Sequence, residues 1–417
     1  MAEKQNIPEI RFEGFTDPWE QRKFSDMYVV NNERNVNCEL GYDRTLSIAT
    51  MTFNGGNGAA DDSLSNYKVI RVGDIAFEGH TNKVHAYGRF VLNDAGDGLM
   101  SPRFSCLRPI VEQRYSFWKY YIPREESMRP ILVNATKNGT MMNELVPDDL
   151  MHESILVPCL AEQEVIGNSF SQLDHVITLH QRKYDKLCTV KKSMLDKMFP
   201  KPGETEPEIR FEGFTDPWEQ RKLGDCFEFL KNNTLSRAGL NGENGTARNV
   251  HYGDILIKFG DCLDGERSDL PFITDDTVLP KFTGSILREG DVIFADTAED
   301  EAAGKCVELR KLPKEPTISG LHTIPARPRF PFGTGYLGHY LNSDAYHRQL
   351  LPLMQGIKVI SVSKASLQDT QVRFPGLSEQ TAIGAALSEI DALITLHQRK
   401  LELLRNIKKS LLDRMFV

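Results

Sequence analysis

Two stretches of the chain repeat apolar residues at alternating steps of three and four positions. They cover residues 162–199 and 379–416. Side chains at this spacing lie along one face of an α-helix, and a pattern kept for about five heptads predicts a coiled-coil seam. The seam residues are Ile166, Phe170, Leu173, Ile177, Tyr184, Leu187, Met194 and Met198 in the first stretch, and Ile383, Leu387, Ile390, Ile394, Leu401, Leu404, Leu411 and Met415 in the second.

The two stretches are also copies of each other. Aligned at an offset of 217, they share 21 of 38 residues. Matching polar residues interrupt each seam: His180 and Lys191 in the first copy, His397 and Lys408 in the second. Two helices with similar seams most simply bury them on each other, so we expect an antiparallel intramolecular pair. A docking site for partner helices is the alternative. For the histidines, a hydrogen-bonded pair is favoured over a ligand site.

A second repeat lies upstream of each helical stretch. Residues 8–23 and 207–222 both read PEIRFEGFTDPWEQRK, with all sixteen positions identical. The chain is therefore a tandem of motif, variable block and long helix. The predicted segments are an N-terminal repeat motif (1–23), a first block (24–161), a first spacer helix (162–199), a linker with the second motif (200–222), a second block (223–378) and a second spacer helix (379–417).

The two variable blocks share little sequence beyond Gly-Asp-Ile/Val steps at residues 73–75, 253–255 and 290–292. Each step is followed by apolar residues, which predicts a turn beside a short strand. Short apolar runs broken by Gly, Pro, Asn and Asp fill both blocks. The predicted fold class is α+β, with two mixed α/β domains in pseudo-twofold tandem, separated by two long antiparallel helices that form a coiled coil.

Composition excludes several classes of protein. The polar start of the chain predicts no signal peptide, and the sequence lacks the 18-residue apolar run of a membrane span. The seven cysteines are scattered without a CxxC pair, which argues against zinc ribbons and fits a reducing cytoplasm. The net charge of −8 argues mildly against nucleic-acid binding, although net charge conceals local patches.

The repeated motifs resemble those of the specificity (S) subunits of bacterial type I restriction–modification systems. The similarity lies in IRFEGFTDPWEQRKL (209–223), PGLSEQTAIG (375–384) and LITLHQRKLELLRNIKKSLLDRMF (393–416). Inside the blocks, SPRF (101–104) and GDVIFADT (290–297) are also typical of that family. These motifs occur in the family's order over essentially the whole chain.

The resemblance implies a non-catalytic subunit with two target-recognition domains, each of which reads one half of a gapped DNA sequence. It also implies that the helices set the spacing and dock two modification (methyltransferase) subunits, with restriction/translocase subunits completing the complex. Adenine-specific methylation and ATP-dependent cleavage would belong to those partners. S-adenosylmethionine, ATP and Mg²⁺ are accordingly expected on the partner subunits, and no cofactor on this chain.

DNA contacts are expected from basic and amide side chains of the two blocks. Arg, Asn and Gln read base edges, whereas Lys and backbone amides hold phosphates. The run 134–140 is predicted to be an exposed polar loop. The candidates are Arg103, Lys137, Asn138 and Thr140 in the first block, and Lys231, Asn232, Asn233, Arg237, His322 and Arg327 in the second. For each of them, an ordinary solvated surface residue is the alternative.

One glycine-rich run could suggest a nucleotide-binding site. Residues 333–338 fit G-x-G-x-x-G, but that fingerprint requires a buried strand just upstream, and Arg327 and two prolines make such a strand improbable there. A structural loop is favoured. Walker A, HExxH and N/D-P-P-Y/F motifs are missing from the sequence, so we expect no catalytic, cofactor or metal site. The alternative functions are a bivalent protein-interaction scaffold without DNA specificity and, less favoured, a fused restriction–modification enzyme.

Overall fold

The computed structural model of the chain describes residues 6–55, 61–140, 142–266 and 270–417. The first five residues of the predicted motif 1–23 lie outside these ranges. Contacts divide the chain into two compact units, Met1–Gln181 with Arg399–Val417 and Arg182–Gln398. The six predicted segments therefore do not map one to one onto compact units, because each unit contains part of both long helices.

The first unit contains a sheet domain. In chain order its elements are β1 (Glu20–Lys23), α1 (Phe24–Met27), β2 (Tyr28–Val30), β3 (Leu46–Ser47), β4 (Thr52–Phe53), β5 (Lys68–Ile70), β6 (Ile75–Glu78), β7 (Arg89–Leu92), β8 (Gly98–Met100), β9 (Cys106–Pro109), α2 (Tyr115–Tyr121), α3 (Glu125–Ala135), β10 (Thr136–Lys137), β11 (Glu144–Leu145), α4 (Pro147–His152), β12 (Ser154–Val157) and the start of α5 (Leu160–Lys197). Short 3₁₀ helices cover Tyr42–Arg44 and Asp61–Asn66.

The second unit repeats this plan with additional strands. After the end of α5 its elements are β13 (Glu219–Lys222), α6 (Leu223–Cys226), β14 (Phe227–Phe229), β15 (Leu240–Asn241), β16 (Arg248–Val250), α7 (Tyr252–Ile257), β17 (Cys262–Asp264), β18 (Phe272–Ile273), β19 (Val292–Ala295), β20 (Thr297–Ala298), β21 (Cys306–Lys311), β22 (Thr317–Ser319), β23 (Thr323–Pro328), α8 (Tyr336–Asn342), α9 (Asp344–His347), β24 (Ile360–Ser361), α10 (Lys364–Asp369), β25 (Gln371–Phe374) and the start of α11 (Leu377–Met415). Its 3₁₀ helices are Arg237–Gly239, Asp276–Ser285 and Leu351–Leu353.

The central sheets of the two units share one pattern of strand pairing. The first sheet has the order β2-β9-β6-β7 and is antiparallel throughout. The second has the order β14-β23-β19-β21-β17, in which only β17 and β21 are parallel. Tyr28 pairs with Pro109 in the first, and Phe227 pairs with Pro328 in the second. A further sheet, β15-β18-β16-β22, belongs to the second unit. The predicted mixed α/β character of both blocks is confirmed.

Two local predictions are wrong. Residues 253–255 do not begin a strand but lie inside helix α7, where Asp254 and Ile255 are buried. The run 134–140 is not all loop, because α3 continues to Ala135 and β10 follows at once. Burial of Asp254 and Ile255 in α7 and the pairing of β10 with β11 involve contacts that the short local pattern does not contain.

The long helices α5 and α11 form where the heptad pattern predicts, and each begins two residues earlier than expected. The predicted seam residues of both helices are buried or half-buried. Within the first unit Asp174 contacts Lys408 and Phe170 stacks on Phe416, so α5 and α11 run antiparallel there. The predicted antiparallel pairing of the repeated helices is confirmed.

Each unit closes its aromatic core with a phenylalanine that comes just after a long helix. In the first unit, Phe416 from the end of α11 packs against Trp19, Phe117 and Tyr121, with centroid distances of 6.3, 5.6 and 5.4 Å. In the second unit, Phe199 follows α5 and packs against Tyr336 and Tyr340 of α8, at 5.9 and 5.3 Å. Within the described residues, every helix is too short or too polar to cross a lipid bilayer.

Candidate DNA-recognition surfaces

A repeated ion pair attaches each sequence motif to the start of a long helix. Arg11 binds the carboxylate of Glu162 through two hydrogen bonds of 2.6 and 2.7 Å. Arg210 binds Glu379 in the same way, at 2.7 and 2.8 Å. Both glutamates are buried, and hydrogen bonding to them raises the pKa of each arginine. The identical Arg and Glu of the two repeats therefore form the same bidentate contact twice.

A second repeated ion pair lies inside each sheet domain. Asp74 follows Gly73, whose φ of +93° favours glycine, and it binds Arg108 of β9 at 2.9 to 3.3 Å. Asp291 follows Gly290 and binds Arg327 of β23 at 2.8 and 3.0 Å. These pairs explain the Gly-Asp steps at 73–75 and 290–292, because each aspartate anchors a neighbouring strand.

This placement corrects the expectation for Arg327. Its guanidinium is mostly buried, it is neutralised by Asp291, and it also donates a hydrogen bond to the carbonyl of Ile286. An arginine held in this way supports the sheet, and its contact with DNA stays a prediction. Asn233 departs from its prediction too, because its side chain is buried and donates to Asn249 and to the carbonyl of Ser319.

The first-block candidates lie on two neighbouring exposed segments. Arg103 is exposed in the turn before β9, and Lys137, Asn138 and Thr140 are exposed in the β10–β11 hairpin. Lys137 contacts Glu144 across that hairpin at 3.4 Å.

A polar cavity of about 330 Å³ lies next to these two segments. Ser101 and Phe104, which flank Arg103 in sequence, line it together with Glu78 and His80. The hairpin reaches the same place, because the amide of Asn143 donates to the carbonyl of Gly79. The structure thus brings the first-block candidates towards one polar surface.

Several second-block candidates converge on the turn between β22 and β23. Asn232 donates to the carbonyl of Gly320, and His322 lies two residues further on with a left-handed φ of +54°. Lys231 is exposed beside them, and its amide donates to Ser285. Arg237 is about half exposed and binds Asp254 through two hydrogen bonds of 2.7 Å.

Two residues that the sequence reasoning missed complete this surface. The ring of Tyr252 lies 5.3 Å from His322 and 4.7 Å from His251. Burial and the charge of Arg237 lower the pKa of His251, which favours its neutral form. Aromatic rings and amide groups beside basic side chains are suited to nucleic-acid contact. The signal in the sequence was the adjacent histidine and tyrosine at residues 251 and 252.

The glycine-rich run 333–338 uses its backbone amides internally. Gly335 and Gly338 donate to the buried carboxylate of Glu308, and Gly333 donates to Gln380 of α11. A buried strand does lie upstream, since β23 ends at Pro328, so the expectation against such a strand was wrong. The loop interpretation rests instead on these occupied amides, which hold the run against β21 and α11.

A buried polar cluster joins the sheet domain of the second unit to both long helices. Lys191 of α5 lies 2.8 Å from Asp261 and 2.6 Å from Asp391 of α11, and the imidazole of His339 lies 2.9 Å from Asp261. Burial alone would lower the pKa of Lys191, but the two carboxylates raise it. Although Asp261, His339 and Asp391 have the spacing of metal ligands, the ammonium of Lys191 already supplies the cation between the carboxylates.

The chain resembles curated proteins along its length. It is 20% identical over 438 aligned residues to the “Putative type I restriction enzyme MjaX specificity subunit” of Methanocaldococcus jannaschii, covering 98% of this chain and 95% of that protein. It is 23% identical over 278 residues to the type I restriction enzyme MjaVIII specificity subunit of the same organism, covering 64% of this chain and 62% of the relative. No family model matches the chain.

Solved structures show the same fold. One is a chain from a study of complex assembly and conformational transition in a type I restriction–modification system. It has a TM-score of 0.50 and 17% identity, and the match covers 96% of this chain and 99% of that one. Another is the type I restriction–modification S subunit from M. genitalium, with a TM-score of 0.52, 14% identity and 99% coverage of both chains.

The fold is that of a protein with two sheet domains on a duplicated helical frame. Together with the repeated motifs and the relatives, it supports a specificity subunit of a type I restriction–modification system, and the predicted resemblance is confirmed. The prediction of a non-catalytic subunit is confirmed with it.

Proposed function

We propose that this chain selects the DNA sequence on which a type I restriction–modification complex acts, with each sheet domain reading one half of a gapped target. One observation carries the proposal. The frame is repeated, with an identical motif and the equivalent ion pairs Arg11–Glu162 and Arg210–Glu379, whereas the polar surfaces of the two domains differ. A duplicated frame that holds two unlike domains is suited to an asymmetric two-part site, as a symmetric dimer is suited to a palindrome.

The half-site surfaces are assigned on the same basis. In the second domain they comprise Lys231, Asn232, Arg237, Tyr252 and His322, and in the first the β10–β11 hairpin with Arg103. These side chains include donors for guanine and adenine edges and cations for phosphates. The chain carries a net charge of −8, so general attraction to DNA is weak, and we expect tight binding only in the assembled complex.

The partners in this proposal are two copies of one modification subunit. The identical motif residues Glu13, Thr16 and Asp17 are exposed, as are their counterparts Glu212, Thr215 and Asp216. Packing does not require identity at exposed positions, whereas binding the same partner twice does.

The long helices offer a second surface to such partners. Exposed apolar side chains follow each helix outside the buried seam, and these are Val176, Leu179 and Val190 on α5 and Leu393, Leu396, Leu403 and Ile407 on α11. Apolar rows of this kind are typical of protein interfaces.

Methyl transfer, ATP hydrolysis and DNA cleavage are assigned to partner subunits, which would bind S-adenosylmethionine, ATP and Mg²⁺. The restriction/translocase subunits would join the complex after the modification subunits. We place the assembly in the cytoplasm, where it meets cellular and incoming DNA, and the seven free thiols fit that reducing compartment.

Methylation mapping tests the proposal. The chain would be expressed with its neighbouring modification subunit in a host without such systems, and methylated adenines would be located across the genome. We expect one gapped, asymmetric motif modified on both strands. A soluble, assembled complex that leaves no methylated motif would contradict the proposal and favour a protein-interaction scaffold, for which the apolar helix rows alone would suffice.

A further inference from the structure

A cavity of about 470 Å³ in the second unit contains an unusual group of arginines. It lies between the turn that precedes β19, the strands β21 and β23, and the glycine-rich run. Arg288, Arg310 and Arg329 line it, beside the stacked rings of Phe330 and Phe332, whose centroids are 5.0 Å apart. We call Arg288, Arg310 and Arg329 with this space the arginine cavity.

The three guanidinium groups lack partners. Within residues 6–55, 61–140, 142–266 and 270–417, no side chain or carbonyl forms an ion pair or hydrogen bond with them. The fourth arginine of the cavity, Arg327, is different because Asp291 neutralises it. Two other carboxylates line the space: Glu289 is exposed on the turn, and Glu308 is held by the amides of Gly335 and Gly338. Four arginines and three carboxylates thus line the space, and Arg310 interacts electrostatically with Glu308, which leaves an excess of positive charge.

The matching turn of the first unit is closed by ion pairs. Its Arg-Val-Gly-Asp turn at 71–74 matches Arg-Glu-Gly-Asp at 288–291. There, Arg71 binds Glu33 and Asp97 at 2.5 and 2.8 Å, and Arg108 binds Glu33 at 2.7 Å. The hydrogen bonds from Arg71 and Arg108 lower the pKa of Glu33, and the contribution of Arg71 is the larger of the two.

The matching turn of the second unit lacks these ion pairs. Arg288, at the position of Arg71 in the turn, forms no ion pair with a side chain of the described residues. The same turn is therefore closed by ion pairs in one unit and left positively charged in the other. Three arginines without ion-pair partners that line one space are suited to an anion with several acceptor oxygens.

We propose that the arginine cavity binds a phosphodiester group of the target DNA. This inference rests on the proposed function and adds to it an asymmetric anchor, which the second domain possesses and the first lacks at the equivalent turn. Guanidinium groups bind phosphate oxygens in pairs, and such contacts fix the position of the duplex without reading its sequence. The cavity therefore contributes affinity and register, while base selection belongs to the surface around His322.

The test is the salt dependence of DNA binding by the full chain assembled with its modification subunits. A fluorescent duplex that carries the target would be titrated over a range of KCl concentrations. We expect Arg310→Ala and Arg329→Ala to weaken binding and to reduce the slope of log affinity against log salt by about 0.9 for each phosphate that the variant no longer neutralises. The preferred bases should stay the same. Arg329→Lys keeps the charge and should keep the slope.

The matched control is Arg348→Ala, an exposed arginine of the same unit outside the cavity, which pairs with Asp344. It should leave the slope unchanged. Equal slopes for wild type, Arg310→Ala and Arg329→Ala would overturn the proposal. Altered base preference with an unchanged slope would overturn it too, because it would make these arginines base readers.

Failure of the two proposals can be told apart. Phosphate contacts do not depend on sequence, so the same slopes can be measured on a duplex without the target. A wild-type complex that fails to discriminate between duplexes would contradict the proposed function. The slope difference between wild type and the arginine variants would still decide whether the cavity holds phosphate.

Discussion

The backbone amide of Ile10 donates a hydrogen bond to the carbonyl of Arg414, with an N···O distance of 3.0 Å. The amide of Ile209 makes the equivalent bond to Lys197 at 2.9 Å. In the second case the chain itself runs from the helix to the motif through residues 200–207. In the first case the bond joins residues that lie far apart in the sequence, and an ion pair between Arg414 and Glu9 accompanies it. The N-terminal motif thus docks on α11 as the second motif docks on α5.

This equivalence predicts that the chain tolerates circular permutation. The permutant would join Val417 to Asn6 through a copy of residues 200–206. Its new ends would lie within the original residues 200–206. Both units should be preserved, because each keeps its contacts. We expect the permutant to assemble with the modification subunit and to direct methylation to the same motif. The control opens the chain between Ile293 and Phe294 in the buried strand β19, and it should not fold. A permutant that folds but methylates a different motif would contradict the equivalence.

The positive charge of Lys191 should stabilise the second unit. Substitution by Met would leave Asp261 and Asp391 facing each other without a cation and should destabilise the second unit by about 3 kcal/mol. Hydrogen–deuterium exchange of peptides from residues 182–398 would measure it. Lys192→Met, at an exposed neighbouring position, is the control and should change little. Equal exchange in the two variants would show that the buried cluster does not stabilise the unit.

The stability that this cluster provides should depend on pH through the ionisation of Asp261. Burial would raise its pKa, but the hydrogen bond from His339 and the charge of Lys191 lower it to about 2 from 3.8. A lowered pKa gives stability that is complete above the unfolded value and is lost as the pH falls from about 4 to about 2. The unfolding free energy of wild type should therefore exceed that of Asp261→Asn by about 2 kcal/mol at neutral pH. A difference that persists unchanged at pH 2 would contradict this assignment.

The structure leaves no space for a side chain at Gly384, near the start of α11. A Cβ there would lie 2.3 Å from the carbonyl oxygen of Thr334, and the matching Gly167 of α5 is equally crowded by Ser116. Gly384→Ala should destabilise the second unit by about 1–3 kcal/mol through overpacking. Gly242→Ala, with open space around its Cβ, is the control. Thermal unfolding of the two variants gives the comparison, and a loss of stability in the control alone would contradict the packing argument.

The proposed role of the helices as a spacer predicts the effect of insertions. Seven residues inserted in both helices, after His180 and after His397, preserve the heptad register and lengthen each helix by roughly 10 Å. The gap in the methylated motif should grow by about three base pairs, at 3.4 Å each, while both half-sites stay the same. Methylome sequencing reads both properties at once. A changed half-site with an unchanged gap would contradict the spacer role.

The periodic elements of this protein were predictable because their signals are local and repeated. The seam of α5 and α11 follows from side-chain spacing alone, and the repeats at 8–23 and 207–222 imply two similar frames. The Gly-Asp steps show the limit of such reasoning. At residues 290–292 the step begins a strand, whereas the same letters at 253–255 lie in a helix, because contacts distant in sequence determine the outcome.

The candidate recognition residues show the same limit more sharply. The sequence by itself determined the duplicated frame, the class of protein and the kinds of side chain that could meet DNA. Only the tertiary structure decided which of them are available, since Arg327 is neutralised by Asp291 in the turn before the neighbouring strand β19, whereas Arg103 is exposed. An arginine's charge is a property of the residue, but its ion pair depends on strand register and burial, which the fold alone establishes.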